Sequence, residues 1–201
     1  VYKRQGYFEL QLRKGEHYHK GAVRLNTARN CLEYILRAKK YRKIYIPYLN
    51  SEVIWEPIKK LGLESEFYSV DFNIDPVFDK ELAGDEVFLY SDIYGIKCNT
   101  VEKLVRRFGK QLIVDNTHAF YSQPYEGIDT IYSPRKFFGL PDGAYLYTDT
   151  LLDEIFEQDM AIPHMTHLMK RIEYGNAGAA YQDYLDYCAS LIGCLLYTSP
   201  S

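Results

Sequence analysis

The stretch Asp129–Tyr147, DTIYSPRKFFGLPDGAYLY, sets one lysine between two short strand-like runs. The first run, Asp129–Tyr132, ends at a Ser-Pro pair, and the second, Ala144–Tyr147, begins after a Pro-Asp-Gly turn. Aromatic and aliphatic runs bounded by turn residues are typical of β-strands. The pattern therefore places Lys136 on a loop held between two strands.

Lys136 is by default a solvated surface charge, because lysine is rarely buried. Its neighbours suggest more, since Phe137, Phe138 and Leu140 follow it closely. Apolar surroundings favour the neutral amine, which is the form that attacks a carbonyl group. Two interpretations stay open at this point: a reactive lysine in an apolar setting, or a surface lysine followed by ordinary core residues.

The two ends of the chain resemble adapter sequence rather than protein. Residues Val1–Gln5 can be written in codons as GTG TAT AAG AGA CAG, and the reverse complement, read one base out of frame, encodes Cys194–Thr198. We therefore expect residues 1–5 and 194–201 to be adapter-derived scars. The natural sequence then runs over roughly residues 6–193, and we expect the natural gene to be longer.

The composition is that of an ordinary globular chain with room for one sizeable core. It has 201 residues, of which 47% are hydrophobic and 25% charged. A net charge of −3 argues against nucleic acid as a partner, because phosphate binding requires a basic face. No apolar run approaches the length that spans a bilayer. We expect neither nucleic acid nor a membrane as a partner.

The cysteines favour a cytoplasmic protein. Cys31, Cys98 and Cys188 are scattered and lack CxxC spacing, which indicates reduced thiols without a disulfide framework or a zinc site. The paired histidines near both ends lack a carboxylate or cysteine at metal-binding spacing. No metal site is therefore predicted.

Strand-like and helix-like segments alternate along the first three quarters of the chain. This alternation predicts an α/β fold with a largely parallel sheet. The further predicted strands are Lys43–Ile46, Glu66–Val70, Glu86–Tyr90 and Leu112–Val114; the predicted helices begin after Asn26 or Thr27, span Ser51–Leu61, and run from an Asn99 cap to Phe108. The segment Asp71–Asp85 is predicted to be a loop.

The pattern changes after Tyr147. Leu151–Gln158 is predicted to form a short amphipathic helix. Met165–Ile192 is predicted to be a longer helical stretch, interrupted around Gly175–Gly178. We expect residues 151–193 to lead toward a second domain that is largely missing.

Asp115 comes where the apolar run Leu112–Val114 should end. Ligands of open α/β sheets gather at the carboxyl ends of strands, so an acid there is well placed to meet one. A plain turn or helix-cap role for Asp115 is an equally good interpretation. His118 either faces the same site or packs in the core, and a lone histidine favours packing.

A second candidate position is the predicted helix start at Asn26 and Thr27. Uncapped amides and a hydroxyl at a helix N-terminus form a natural anion site, so phosphate could bind there. The simpler alternative is that these residues only cap their own helix.

Taken together, two segments resemble a known family. VDNTHAF, residues 114–120, followed by SPRKFFGLPDGAYLYT, residues 133–148, is similar to the DegT/StrS-type pyridoxal-phosphate-dependent aminotransferases. These are fold type I enzymes, and many aminate keto sugars attached to nucleotides. The resemblance runs from about Leu25 to Thr148. It implies a pyridoxal-phosphate-binding large domain over residues 6–150, with the small C-terminal domain largely missing.

The resemblance also implies roles for individual residues. Lys136 would form the Schiff base and then act as general base and acid. Asp115 would pair with the pyridinium nitrogen and keep it protonated. His118 falls near the position of the cofactor's phenolic oxygen. The remaining implied cofactor-binding residues are Asn26, Thr27 and Ala28 at the helix start, Ser133 for the phosphate, and Tyr94 as a substitute for the usual stacking aromatic.

The sequence departs from the family pattern at four places. Lys136 follows Ser133 more closely than is usual, and Asn26 replaces a glycine. Ser51 stands where many members have the stacking aromatic, so that Tyr48 or Tyr94 would have to replace it, and Ala144 replaces the last glycine of the pair. These departures indicate a divergent member.

Three functions stay open on this resemblance. The first is an aminotransferase that moves an amino group from an amino acid donor to a keto substrate and works as a homodimer. The second is a pyridoxal-phosphate enzyme of another type, such as a dehydratase or lyase. The third is a non-catalytic binding or regulatory subunit, against which the presence of both Asp115 and Lys136 argues.

Overall fold

A computed structural model describes residues 15–154 and 156–192. The predicted adapter-derived ends lie outside these residues. The described chain forms one sheet of eight strands with helices on both faces. In chain order the strands are β1 Val23–Leu25, β2 Lys43–Pro47, β3 Glu64–Val70, β4 Pro76–Val77, β5 Glu86–Ser91, β6 Leu112–Asn116, β7 Asp129–Tyr132 and β8 Ala144–Tyr147. The helices are α1 Ala28–Lys39, α2 Trp55–Lys60, α3 Cys98–Phe108, α4 Thr166–Tyr174 and α5 Tyr181–Ser190.

The strand order is β1-β8-β7-β6-β5-β2-β3-β4. The five adjacent strands β3, β2, β5, β6 and β7 pair in parallel, whereas β4 at one side and β8 and β1 at the other join antiparallel. Parallel neighbours need long crossover connections: α2 lies in the connection from β2 to β3, and α3 in the connection from β5 to β6. The predicted α/β fold with a mostly parallel sheet is thereby confirmed.

The central strands are buried on both faces. In β5, Val87 and Leu89 join the core shared with α1 and α2, while Phe88 and Tyr90 join the core shared with α3. Side chains alternate across a strand, so a run that is apolar at every position can serve two cores. The sheet therefore lies between two helical layers.

Helix α1 begins at the predicted cap. Thr27 is its N-cap, and its Oγ1 accepts a hydrogen bond from the Asn30 N–H at 3.2 Å. The apolar face of α1, with Leu32, Ile35 and Leu36, is buried against the sheet. This packing fixes the direction in which the start of α1 points.

Three local predictions are wrong. Leu151–Gln158 has no helix in its described residues: Leu152 and Phe156 pack against the α1 side of the core, and the Leu152 N–H donates to Tyr34 Oη at 2.9 Å. In this segment tertiary contacts, and not the helical periodicity of the sequence, determine the backbone conformation. Asn99 lies inside α3, and the predicted loop after β3 contains the short strand β4.

The C-terminal part forms a pair of helices, α4 and α5, as predicted. Gly175 ends α4 in the left-handed conformation, with φ of 64°, which agrees with the expected break in this region. None of the helices in the described part of the chain is long and apolar enough to cross a membrane.

Candidate active site

The carboxyl ends of the parallel strands bring candidate residues into one row. Ser91 of β5 pairs with Asp115 of β6, which pairs in turn with Ile131 of β7. Two residues beyond Ile131 the chain reaches Ser133, and the Lys136 turn follows. This is the edge of an α/β sheet at which ligands bind.

A cleft of about 690 Å³ opens at this edge. Its size is within the range of small-molecule sites. Seven of the eight predicted site residues line it, namely Thr27, Ala28, Tyr94, Asp115, His118, Ser133 and Lys136. The tertiary structure therefore brings together residues that are more than a hundred positions apart in sequence.

Asn26 is the predicted site residue that does not line the cleft. It is fully buried behind the start of α1, where its Nδ2 donates to Asp159 Oδ2 at 3.3 Å and its Oδ1 accepts from Asn30 Nδ2. Its backbone oxygen accepts from the Gly143 N–H at 2.8 Å. Asn26 thus supports the helix start from behind.

Asp115 is held in a fixed orientation. Its Oδ1 accepts from the Thr117 N–H at 2.9 Å, and its Oδ2 accepts from Ser91 Oγ at 3.3 Å. Burial raises the pKa of the Cys31 thiol of α1 well above its ordinary value, and the nearby charge of Asp115 raises it further. Asp115 therefore presents a carboxylate beside the apolar base of the cleft.

The start of α1 forms a polar wall of the cleft. Ala28 and Arg29 line it, and their amides belong to the first turn, whose N–H groups have no partner within the helix. The positive end of the helix dipole adds to the attraction for an anion. Arg29 is itself held by Glu56, with Nη1 to Oε2 at 2.6 Å.

Lys136 closes a short 3-10 turn, Pro134–Lys136, between β7 and β8. The N–H groups of Phe137 and Phe138 both donate to the Pro134 oxygen at 2.9 Å. The side chain of Lys136 is exposed to the cleft mouth, and Phe137 and Phe138 are 42% and 44% exposed. The expected apolar enclosure of Lys136 is therefore not present, and the residues that follow it are not core residues either.

Two aromatic rings form another wall. Tyr94 and His118 are stacked, with ring centroids 5.9 Å apart and planes 13° apart. Tyr94 has a left-handed backbone, with φ of 61°, and is 75% exposed. Tyr48, the other proposed aromatic, points elsewhere and stacks on Phe67 with centroids 4.5 Å apart. Of the two, only Tyr94 lines the cleft.

Sequence reasoning missed several lining residues. Arg29 follows the helix cap by two positions, a signal that could have been used. Tyr184 and Cys188 of α5 also line the cleft, and their spacing of four residues places them on one helix face. Arg135 lines the cleft too and lies over the Tyr187 ring, 5.2 Å from its centroid.

Among the described residues, no group of three or more histidines, cysteines and acids is arranged to hold a metal ion.

No protein-family model and no curated protein matches the chain. Solved structures do match it. Spr1654 from Streptococcus pneumoniae, in its PLP form, is 17% identical over 66% of this chain and 42% of its own, with a TM-score of 0.52. The sugar aminotransferase CalS13 from Micromonospora echinospora is 16% identical over 63% and 41%, with a TM-score of 0.51. DesV from S. venezuelae, solved with a ketimine intermediate, is 19% identical over 63% and 39%, with a TM-score of 0.50.

The chain has the fold of these proteins. The match confirms, at the level of fold, the resemblance to fold type I aminotransferases that the two sequence segments indicate. The matched region covers only about two fifths of each of these solved chains, at 39% to 42%.

Proposed function

We propose that this protein is a pyridoxal-phosphate-dependent aminotransferase that transfers an amino group from an amino acid donor to a keto substrate, with a nucleotide-linked keto sugar as one candidate acceptor. The observation that carries the proposal is the meeting of Lys136, Asp115 and the start of α1 in one cleft. The fold shared with solved proteins of this chemistry supports it.

The chemistry of the cleft fits the cofactor. Pyridoxal phosphate has an anionic phosphate, a ring nitrogen that accepts a proton, and an aldehyde. The first-turn amides of Ala28 and Arg29 suit the phosphate, together with Ser133. Asp115 offers a carboxylate for the ring nitrogen, and Lys136 offers an amine for the aldehyde. Each group of the cofactor thus has a complementary group in this chain.

The bound cofactor would supply an electron sink for the substrate carbanion. The chain's own residues would do the rest. Lys136 Nζ would take the proton from the substrate carbon and return it, a role open to an exposed amine that lines the cleft. Asp115, oriented by Ser91 and Thr117, would keep the ring nitrogen protonated.

The aromatic wall would orient the cofactor ring. His118 and Tyr94 are stacked and both line the cleft, so either ring can lie against a planar ligand. This assigns to Tyr94 the place that Ser51 leaves without an aromatic. Ser51 lines the same cleft.

We also propose that the whole protein works in the cytoplasm as a homodimer. The exposed positions of Tyr94 and Lys136 at the cleft mouth support this assembly, since a second copy could cover them. Light scattering on the whole protein tests the assembly, and a mass of a single chain at micromolar concentration would contradict it.

The function is tested by adding pyridoxal phosphate to the protein, recording the visible absorbance and then reducing with borohydride. We expect a visible band and a pyridoxyl group fixed at Lys136, located by peptide mass spectrometry. Lys136→Ala should lose both, whereas Lys20→Ala, which changes an exposed lysine paired with Glu16, should keep both.

Absence of the band and of the fixed group in the unaltered protein would contradict the enzyme assignment and favour the binding-subunit hypothesis. A fixed group at Lys136 without amino transfer would favour the dehydratase or lyase. Product analysis with an amino donor and a keto sugar separates these two cases.

A further inference from the structure

Phe120 lies in the loop after β6 and packs against the turn that carries Lys136. It comes two residues after His118 and five after Asp115, and it is 4% exposed. Its ring is surrounded by other aromatic rings. Those with centroids within about 6 Å are Tyr18, His19, Tyr121, Phe137, Phe138 and Tyr145.

Two of these rings follow Lys136 directly in the chain. The Phe137 centroid is 5.8 Å from that of Phe120, and the Phe138 ring meets it edge to face at 5.4 Å. Because Phe137 and Phe138 are close to half exposed, contacts on their inner sides must hold them. Edge-to-face and offset aromatic pairs of this kind add to the energy of simple burial. The Lys136 turn is thus packed onto Phe120.

The backbone of Phe120 is also held. His19 Nε2 donates to the Phe120 oxygen at 2.8 Å, and His19 is buried against the Tyr132 ring with centroids 3.9 Å apart. Burial lowers the pKa of His19, which favours the neutral ring. On the other side, the Ala119 N–H donates to the Asn116 oxygen at 2.9 Å.

We propose that Phe120 is a positioning residue that sets the Lys136 turn relative to Asp115 and His118. It connects the chain segment after β6 with the turn after β7 through its ring, while His19 fixes its backbone. Among the described residues, no hydrogen bond or ion pair holds the Lys136 side chain, so its position depends on the turn that carries it. The inference rests on the proposed function for its catalytic meaning.

The test compares Phe120→Leu with Phe108→Leu. Phe108 is also buried, at 8% exposure, and stacks on Phe88 with centroids 4.8 Å apart, but it lies in the α3 core away from the cleft. Both variants lose one buried ring and should lose similar thermal stability. Amide hydrogen exchange over residues 134–140, and the rate at which borohydride fixes added pyridoxal phosphate at Lys136, are then measured in both.

We expect Phe120→Leu to speed exchange of the Phe137 and Phe138 amides by roughly tenfold, because exchange reports the local opening of the turn. It should also slow fixation at Lys136 by a similar factor, while Phe108→Leu leaves both unchanged. Equal exchange in the two variants would overturn the inference. Failure of the unaltered protein to fix the cofactor would instead contradict the proposed function, and the exchange data would still decide whether Phe120 holds the turn.

Discussion

Ser91 Oγ donates a hydrogen bond to Asp115 Oδ2, at 3.3 Å, across the neighbouring parallel strands β5 and β6. The two residues are register partners at the carboxyl ends of these strands. This hydrogen bond fixes the orientation of the Asp115 carboxylate relative to a ligand in the cleft. The pair shows how strand register, rather than proximity in sequence, prepares the candidate site.

On the proposed function, Asp115→Asn is expected to abolish most amino transfer while leaving the fold intact, because the amide cannot keep a ring nitrogen protonated. We expect a loss on the order of 100-fold or more, as for other preorganised electrostatic groups. Single-turnover transfer from L-glutamate, followed by absorbance, measures it. Ser91→Ala removes only the supporting hydrogen bond and should lose much less; an equal loss in both variants would contradict the assignment.

Thr27→Ala is expected to lower the free energy of unfolding by about 1 kcal/mol, because the Asn30 N–H loses its cap. It should also weaken binding of pyridoxal phosphate, since the first turn of α1 lines the cleft. Urea denaturation and a cofactor titration measure the two effects. Thr27→Ser keeps the hydroxyl and should stay close to the unaltered protein, and a Ser variant as weak as the Ala variant would argue against the cap.

Gly95→Ala is expected to destabilise the protein and disturb the Tyr94–His118 wall. Gly95 has φ of 69°, and an added Cβ would lie 3.3 Å from Ala119 Cβ. The left-handed backbone alone costs about 1–2 kcal/mol in an L-residue. Gly62→Ala is the matched control, with φ of 66° and no atom within 4 Å of its added Cβ. Denaturation of both isolates the contact, and an equal loss in the two would show that Ala119 adds nothing.

The stability that Asp149 contributes at neutral pH should be lost in acid. Hydrogen bonds from Lys110 first, then from Lys39 and Thr150, hold the pKa of Asp149 far below its ordinary value. A lowered pKa in the folded state gives stability that is complete above the unfolded pKa, about 3.9, and decreases as pH falls below it. The difference in unfolding free energy between the unaltered protein and Asp149→Asn should be constant at neutral pH and shrink below about pH 4.

Asp129 also pairs with Lys39, but its pKa shifts in the opposite direction to that of Asp149. Lys39 Nζ lies 2.9 Å from Asp129 Oδ2, which lowers the pKa of Asp129, but burial raises that pKa by more. Asp129 is 1% exposed, so the cost of burying its charge exceeds the attraction of Lys39. Denaturation of Asp149→Asn between pH 2 and pH 7 is the measurement, and a difference that grows toward low pH would contradict the sign derived for Asp149.

The sequence by itself predicted the fold class, and most of the site residues that it predicted line the cleft. Apolar runs bounded by turn residues locate the strands, since burial on both faces requires every position of a central parallel strand to be apolar. The same logic places Asp115 and Ser133 at strand ends, and the cap at Thr27 marks the start of α1. These features are local, so local pattern was enough to find them.

Tertiary structure alone decided the remainder. The segment after β8 has a helical pattern in its sequence. Leu152 and Phe156 instead pack against the core, and the described residues of this segment are not helical. Tyr94, which has a left-handed backbone, lines the cleft, whereas Tyr48 does not. The lining by Tyr184 and Cys188, and the packing of the Lys136 turn on Phe120, join segments distant in sequence. Such contacts depend on how elements pack together in space, for which a single sequence contains no local signal.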